Sequence, residues 1–173
     1  MSKSPIEILA VDPRSQEAAA LIRALSAELA RRYDFADDGS GNFKPEDALV
    51  AGSAFVIARA GGNPVACGAF RPLEGNVAEI KRMFVVPDHR GRGYSKAILR
   101  ELERLARENG YTTVRLETGD RQPEAIGLYQ RSGYHRIPNF GIYVEDQRSV
   151  CFEKQLSSPD DVSAPSVYEH DAR

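Results

Sequence analysis

Between Val85 and Ala106 the chain reads "VVPDHRGRGYSKAILRELERLA". Three basic side chains (Arg90, Arg92, Lys96) and two glycines (Gly91, Gly93) crowd the start of an amphipathic run. A helix N-terminus is the positive pole of the macrodipole, so cations there cost stability unless an anion sits among them. The glycines permit a sharp turn and leave amide N–H groups uncovered. Those amides, with the first turn of the helix, make an anion-binding concavity. A phosphate is the simplest occupant, and a pyrophosphate would use more of the donors. Two familiar phosphate loops do not fit. No G-x-x-x-x-G-K-[ST] run is present, and G-x-G-x-x-G fails because Lys96 stands three residues after Gly93.

Strands and helices must hold such a loop in place. Ile6–Val11 reads as a first strand. Asp12 is the expected N-cap, with Pro13 at the first helical position. The helix that follows carries Ala20, Leu21, Ala24, Leu25 and Leu29 at helical spacing and should end near Tyr33. Asp34–Pro45 is a long polar loop, and "PEDAL" a short helical turn. Ala54–Ala60, Val65–Leu73 and Val77–Val86 are strands joined by short turns, an antiparallel meander. A helix from about Arg92 to Asn109 sets Tyr94, Ile98, Leu102 and Leu105 inside and Lys96, Arg100, Glu103 and Arg107 outside, with Gly110 at its C′ position. Thr112–Thr118 then returns as a parallel strand after a right-handed crossover. A helix over Pro123–Ser132 and strand pieces at "YHRI" and "SVCFEKQL" complete the set. This order specifies an α+β (mixed α/β) fold: one domain over residues 1–156, a mixed, mostly antiparallel sheet of about six to seven strands, and helices on both faces. Residues 157–173, rich in Ser, Pro, Asp and Ala, read as a disordered tail.

A chain of 173 residues is long enough for one domain with a real core. A net charge of −2 argues against nucleic acid as a partner. No apolar run approaches the roughly 18 residues of a membrane span, and "MSKSPIEI" lacks the apolar core of a signal peptide. Cys67 and Cys151 lie in apolar strand-like runs and read as reduced, buried thiols. Two cysteines make neither a disulfide framework nor a four-ligand zinc site. The expectation is a cytoplasmic protein with no metal, no membrane partner and no nucleic-acid partner.

The stretch "VVPDHRGRGYSKAIL" resembles motif A of the GNAT superfamily of acyl-CoA-dependent N-acetyltransferases. That motif is a strand with V-x-P, then [QR]-x-x-G-x-[GA] opening a helix; Ser95 replaces the final small residue, and Tyr94 stands where an aliphatic one is usual. "PEAIGLYQRSGYHRI" is similar to motif B, with Ala125, Leu128, Tyr129, Gly133 and Tyr134 in register. Gln122 stands where family members often have Asn. The order of elements from Ile6 to Leu156 also matches the family. The resemblance implies acetyl-CoA as co-substrate and an amine acceptor, a small molecule or a peptide, attacking directly in a ternary complex. It places the pyrophosphate on Arg90, Gly91, Arg92, Gly93, Tyr94, Ser95 and Lys96. The pantetheine arm would run beside Met83, Phe84 and Val85, with Gln122 and Tyr129 also at the cofactor. It further implies that the two parallel strands splay where the thioester enters. A cause is visible in "VAEIKRMFVV": Ala78 and Ile80 alternate cleanly, then Lys81-Arg82 breaks the phase, either as a β-bulge or as an edge-exposed pair of charges.

Tyr129 occupies the family's position for the acid that protonates the leaving thiolate; packing against the cofactor is the alternative role. For the base, Glu79 is the first candidate. It sits in a strand interior, where Glu is disfavoured, and at the family's glutamate position. Glu117, in "LETG", is second. Either could instead be a strand carboxylate paired with Arg82 or Arg115. A non-catalytic acyl-CoA-binding regulatory module and a structural domain on an enzyme scaffold are the other readings. A homodimer is open. The acidic "YDFADDG" stretch could attract a cationic amine or be a solvated loop.

Overall fold

The computed structural model describes residues 5–34 and 42–158. Most of the acidic loop, and the expected tail from residue 159 onward, lie outside the described residues. The elements are β1 (Ile6–Ala10), α1 (Gln16–Tyr33), a 3-10 turn (Pro45–Ala48), β2 (Ala54–Ala60), β3 (Asn63–Glu74), β4 (Val77–Val85), α2 (Tyr94–Glu108), β5 (Thr113–Gly119), α3 (Pro123–Arg131), β6 (His135–Ile137) and β7 (Ser149–Gln155). They form one seven-stranded sheet in the order β1-β2-β3-β4-β5-β7-β6. Only β4 and β5 pair in parallel, across the α2 crossover; every other pair is antiparallel.

The pleat divides the apolar residues between two faces. Val56, Ala58, Ala66, Phe70, Ala78, Ile80 and Leu116 pack with Ile98, Leu99, Leu102 and Ala106 of α2. Phe55, Ile57, Cys67, Ala69 and Phe84 pack with Ala18, Leu21 and Leu25 of α1. Both cysteines are free and buried, and burial pushes the Cys67 thiol up to about 12. Among the described residues no helix is long and apolar enough to cross a membrane.

The irregularity that matters for the site is in β4. Cys67 pairs with Phe84, but Ala69 pairs with Lys81, so Arg82 and Met83 stand opposite Gly68 alone. Arg82 has φ 58°, the left-handed region that residues with a side chain rarely occupy. This is a β-bulge, and Arg82 is 9% exposed rather than an edge charge. The bulge shifts the phase. Ahead of it Ala78 and Ile80 face α2; beyond it Phe84 faces α1, while Met83 and Val85 turn to the α2 side. Pairing with β5 stops at Ile80↔Leu116, while β5 continues along β7 as far as Gly119↔Ser149. The two parallel strands therefore part just before the bulge.

Two local expectations need correction. The N-cap of α1 is Ser15, whose side chain accepts from the Ala18 amide at 3.3 Å. Asp12 is used earlier: it accepts from the backbone and the guanidinium of Arg14, closing its own turn. Glu103 is not on the outer face of α2. It is 6% exposed, and accepts from the Tyr134 hydroxyl at 3.0 Å and from Lys154 Nζ at 3.0 Å. Tyr134 and β7 cover a flank of α2 that periodicity alone assigns to solvent.

Candidate active site

A cleft of about 790 Å³ opens where β4 and β5 part. At one end is the basic loop. Gly91 (φ 76°) and Gly93 (φ 83°) are both left-handed, and a side chain on either would meet no neighbour within 4 Å, so backbone conformation rather than crowding selects glycine. Gly93 caps α2 with no side-chain bond, and the first turn holds no acid. The amides of Gly93, Tyr94, Ser95 and Lys96 have no acceptor among the described residues. His89 Nδ1 and Ser132 Oγ are buried and also lack a partner, and both residues line the cleft. A group with several acceptor oxygens fits this end, because it would satisfy donors that the fold leaves open.

The cations of the loop are not equivalent. Arg90 donates through Nε to the Val85 carbonyl at 3.0 Å and through Nη2 to Glu28 at 2.9 Å, so α1 already neutralises it. Arg92 donates to the Asp88 carbonyl at 3.3 Å and lies off the cleft wall. Lys96 is exposed on that wall.

At the other end lie the titratable groups. Tyr129 comes from α3 with its ring against Tyr134 (5.6 Å between centroids) and Phe152 (6.0 Å). It is 4% exposed, yet its hydroxyl has no bonded partner among the described residues. Burial, then the Glu117 charge, pushes its pKa well up, so it stays a protonated phenol. Glu117 lines the cleft and accepts from Ser149 Oγ at 2.7 Å. Burial raises its pKa against the opposing pull of that hydrogen bond and of Lys81.

Glu79 stands differently. It is 2% exposed and is not on the cleft wall. One oxygen accepts from Arg71 Nε at 2.9 Å and the other from the Tyr143 hydroxyl at 3.0 Å. Tyr143 in turn accepts from Lys81 Nζ at 2.7 Å, and Arg71 donates to Asp47 at 2.8 Å. The chain Lys81–Tyr143–Glu79–Arg71–Asp47 thus ends on the cleft at Lys81 and Tyr143. The cleft gathers Met83, Phe84, Val85, Arg90, Gly91, Gly93, Tyr94, Ser95, Lys96, Gln122 and Tyr129, while Glu79 and Arg92 stay off its wall. Sequence reasoning missed Tyr143, Glu28 and Ser149, which reach the site from distant segments. Lys81 was visible in the sequence as one of the pair Lys81-Arg82 that breaks the strand alternation.

Residues 19–134 match the profile of the acetyltransferase (GNAT) family. A relative named IAA acetyltransferase, from Azospirillum brasilense, is 40% identical over 103 residues, 59% of this chain and 67% of its own length. The chain spans only 45% of a rat and 40% of a mouse N-acetyltransferase that it also matches. Among solved structures, one described as an acyl-CoA N-acyltransferase from Klebsiella pneumoniae has a TM-score of 0.75 at 34% identity, covering 89% of this chain and 99% of the other. PaiA N-acetyltransferase from Thermoplasma acidophilum, solved with coenzyme A, has a TM-score of 0.66 at 17% identity over 87% and 99%, a likeness of fold.

Proposed function

The chain belongs to the acetyltransferase (GNAT) family, and from that premise we propose that it moves an acetyl group from acetyl-CoA to a primary amine of a small molecule or peptide, by direct attack in a ternary complex. The observation that carries this reading is the gap between β4 and β5, with amides at one end and a phenol at the other that have no partner among the described residues, and the Glu117 carboxylate on the same cleft wall. The Gly93–Lys96 amides would hold the pyrophosphate, with Lys96 adding charge. The edge of β4 at Met83, Phe84 and Val85, unpaired on the β5 side, would receive the pantetheine amides. Acetyl-CoA supplies an acetyl group activated as a thioester.

The chain's own residues would handle two protons. A lysine-like amine has a pKa near 10.4, so its free form at pH 7 costs about 4.6 kcal/mol. Of the two carboxylates, Glu117 is placed to take that proton, because it stands on the cleft wall and burial brings its pKa closer to neutrality. Glu79 has both oxygens engaged and reaches the cleft only through Tyr143. Glu79 is the base expected first from sequence; here we assign it to holding Tyr143 and Arg71. Tyr129 would donate its phenolic proton to the departing sulfur.

The test is a thermal shift with acetyl-CoA followed by a thiol-release screen over amines. Stabilisation with turnover supports the transferase. Stabilisation without turnover on any amine would favour a regulatory acyl-CoA-binding module, and no stabilisation would exclude both.

A further inference from the structure

The pleat sorts the cleft residues by face. Ile80 and Leu116 pack towards α2, so Glu79, Lys81 and Glu117 project to the α1 side of the sheet. Lys81 and Glu117 both line the cleft there. Most cleft cations are already paired or exposed. Arg90 meets Glu28, Arg32 meets Glu28 and Glu124, and Arg148 meets Asp146. Lys96 and Arg131 are exposed. Lys81 is different. It is half-buried, and among the described residues its only hydrogen bond goes to the neutral Tyr143 hydroxyl at 2.7 Å, with no carboxylate at ion-pair distance. Glu79, the nearest acid along the strand, spends its charge on Arg71 at 2.9 Å. An ammonium has three donors, and here one is used.

We infer that the acceptor carries a carboxylate beside its amine: Lys81 holds the carboxylate while Glu117 faces the amine. This rests on the transferase reading above and names the substrate class of the same site. A neutral acceptor filling the cleft would strip water from two Lys81 donors and replace it with nothing, which is costly for a charged group. A carboxylate would replace that water with a charge-assisted bond. Burial holds the Lys81 pKa below its ordinary value against the opposing pull of Glu79, and a bound carboxylate would favour the charged ammonium. Glu117, which has no cation at ion-pair distance among the described residues, is left for the ammonium end. The pair makes a receptor for a zwitterion such as an amino acid.

Matched acceptors test this: free amino acids (α, β and ω) against their carboxamides, with kcat/KM corrected for the free-amine fraction. The acid should exceed its amide by roughly 10- to 100-fold, the range of one charge-assisted hydrogen bond. In Lys81→Met the ratio should fall towards one, while Lys81→Arg should retain a preference. An acetyl-CoA thermal shift on each variant confirms folding, and Lys81→Gln serves if Met does not fold. Equal rates on acid and amide in the wild type, or an unchanged ratio in Lys81→Met, would overturn the inference and leave the transferase standing. A second readout needs no turnover: calorimetry of N-acetylated amino acids and their amides on the CoA-loaded protein. A Lys81-dependent preference for the acids upholds the carboxylate site even if no amine is acetylated, an outcome that would sink the transferase reading alone. Absence of that preference across the set overturns the site.

Discussion

Replacing each strand carboxylate by its isosteric amide should separate a structural acid from a reactive one. Glu79 is 2% exposed, and its oxygens accept from Arg71 and from Tyr143. Glu79→Gln keeps one acceptor but sets an amide N–H₂ against a donor and removes the counter-charge of Arg71. Breaking a buried pair costs 3–5 kcal/mol. Arg71 is 20% exposed and keeps Asp47, so the lower end, about 3 kcal/mol, applies. For a chain of this size that is a fall in Tm of roughly 6–12 °C. Glu117→Gln should do the opposite. Burial raises the folded pKa of Glu117 above its unfolded value. Between those two values the folded state binds more protons, so stability falls as pH rises through that window. The amide removes that loss. Glu117→Gln should therefore be at least as stable as wild type at pH 8, with the difference vanishing below the ordinary carboxylate range. Its kcat should fall roughly 10²–10⁴-fold, about 2.7–5.5 kcal/mol of barrier. The wild-type acidic limb of kcat/KM should lie above the usual carboxylate range and flatten in the variant. Scanning calorimetry across pH 5–8 and thiol release on one amine read both quantities. If Glu79→Gln folds with a normal Tm and loses rate while Glu117→Gln stays near wild type, the assignment is refuted, and Glu79 works as the base through Tyr143.

Gly93→Asp should lower Tm somewhat, because φ 83° strains any side chain even with open space around it, and should abolish the acetyl-CoA thermal shift by placing a carboxylate beside the phosphate site. An unchanged shift would remove the loop from the binding argument. Tyr129→Phe should leave Tm almost unmoved, because the hydroxyl bonds nothing among the described residues, yet lower kcat more than acetyl-CoA affinity. Equal losses in both would assign Tyr129 to packing. Lys154→Met should cost about 3 kcal/mol, or roughly 6–12 °C in Tm, by leaving buried Glu103 with only the Tyr134 hydroxyl; Lys154→Arg should recover most of it.

What could be read from sequence was what neighbours along the chain determine. Strand alternation, the glycine-rich turns and the Gly110 stop put the helices and strands within a few residues of their places. The loop was legible because its glycines and cations are consecutive. Asp12 and Ser15 show that even a local choice can stay open in the sequence. Both can cap, and the fold turns Asp12 to Arg14, two residues on, and leaves the cap to Ser15. Glu103 shows the same at longer range: helical periodicity sends any charge outward, and its partners stand 31 and 51 residues away. The sequence alone does not separate Glu79 from Glu117 for the same reason. Both are glutamates in strand interiors. The difference lies in Arg71, across a strand pair, and Tyr143, 64 residues on, which close around one and leave the other on the cleft wall.

The bulge at Arg82 joins these observations. A non-glycine residue in the left-handed region costs of order 1–3 kcal/mol and persists only where its surroundings over-determine it. Here the side chain reaches α1, with Nη1 3.4 Å from Ser26 Oγ and the guanidinium 5.5 Å from the Phe43 ring centroid. The Arg82 carbonyl accepts from the Cys67 thiol at 3.3 Å. On either side, the strand resumes its ladder with β3 at Lys81 and at Phe84. Held from α1, from β3 and from its own strand, the extra residue has no slack through which to slip back into register. β4 therefore leaves β5 at a fixed point, with Lys81 at the mouth of the gap and the free edge of Met83–Val85 along it. The opening is a property of the folded sheet, with Arg82 at its origin.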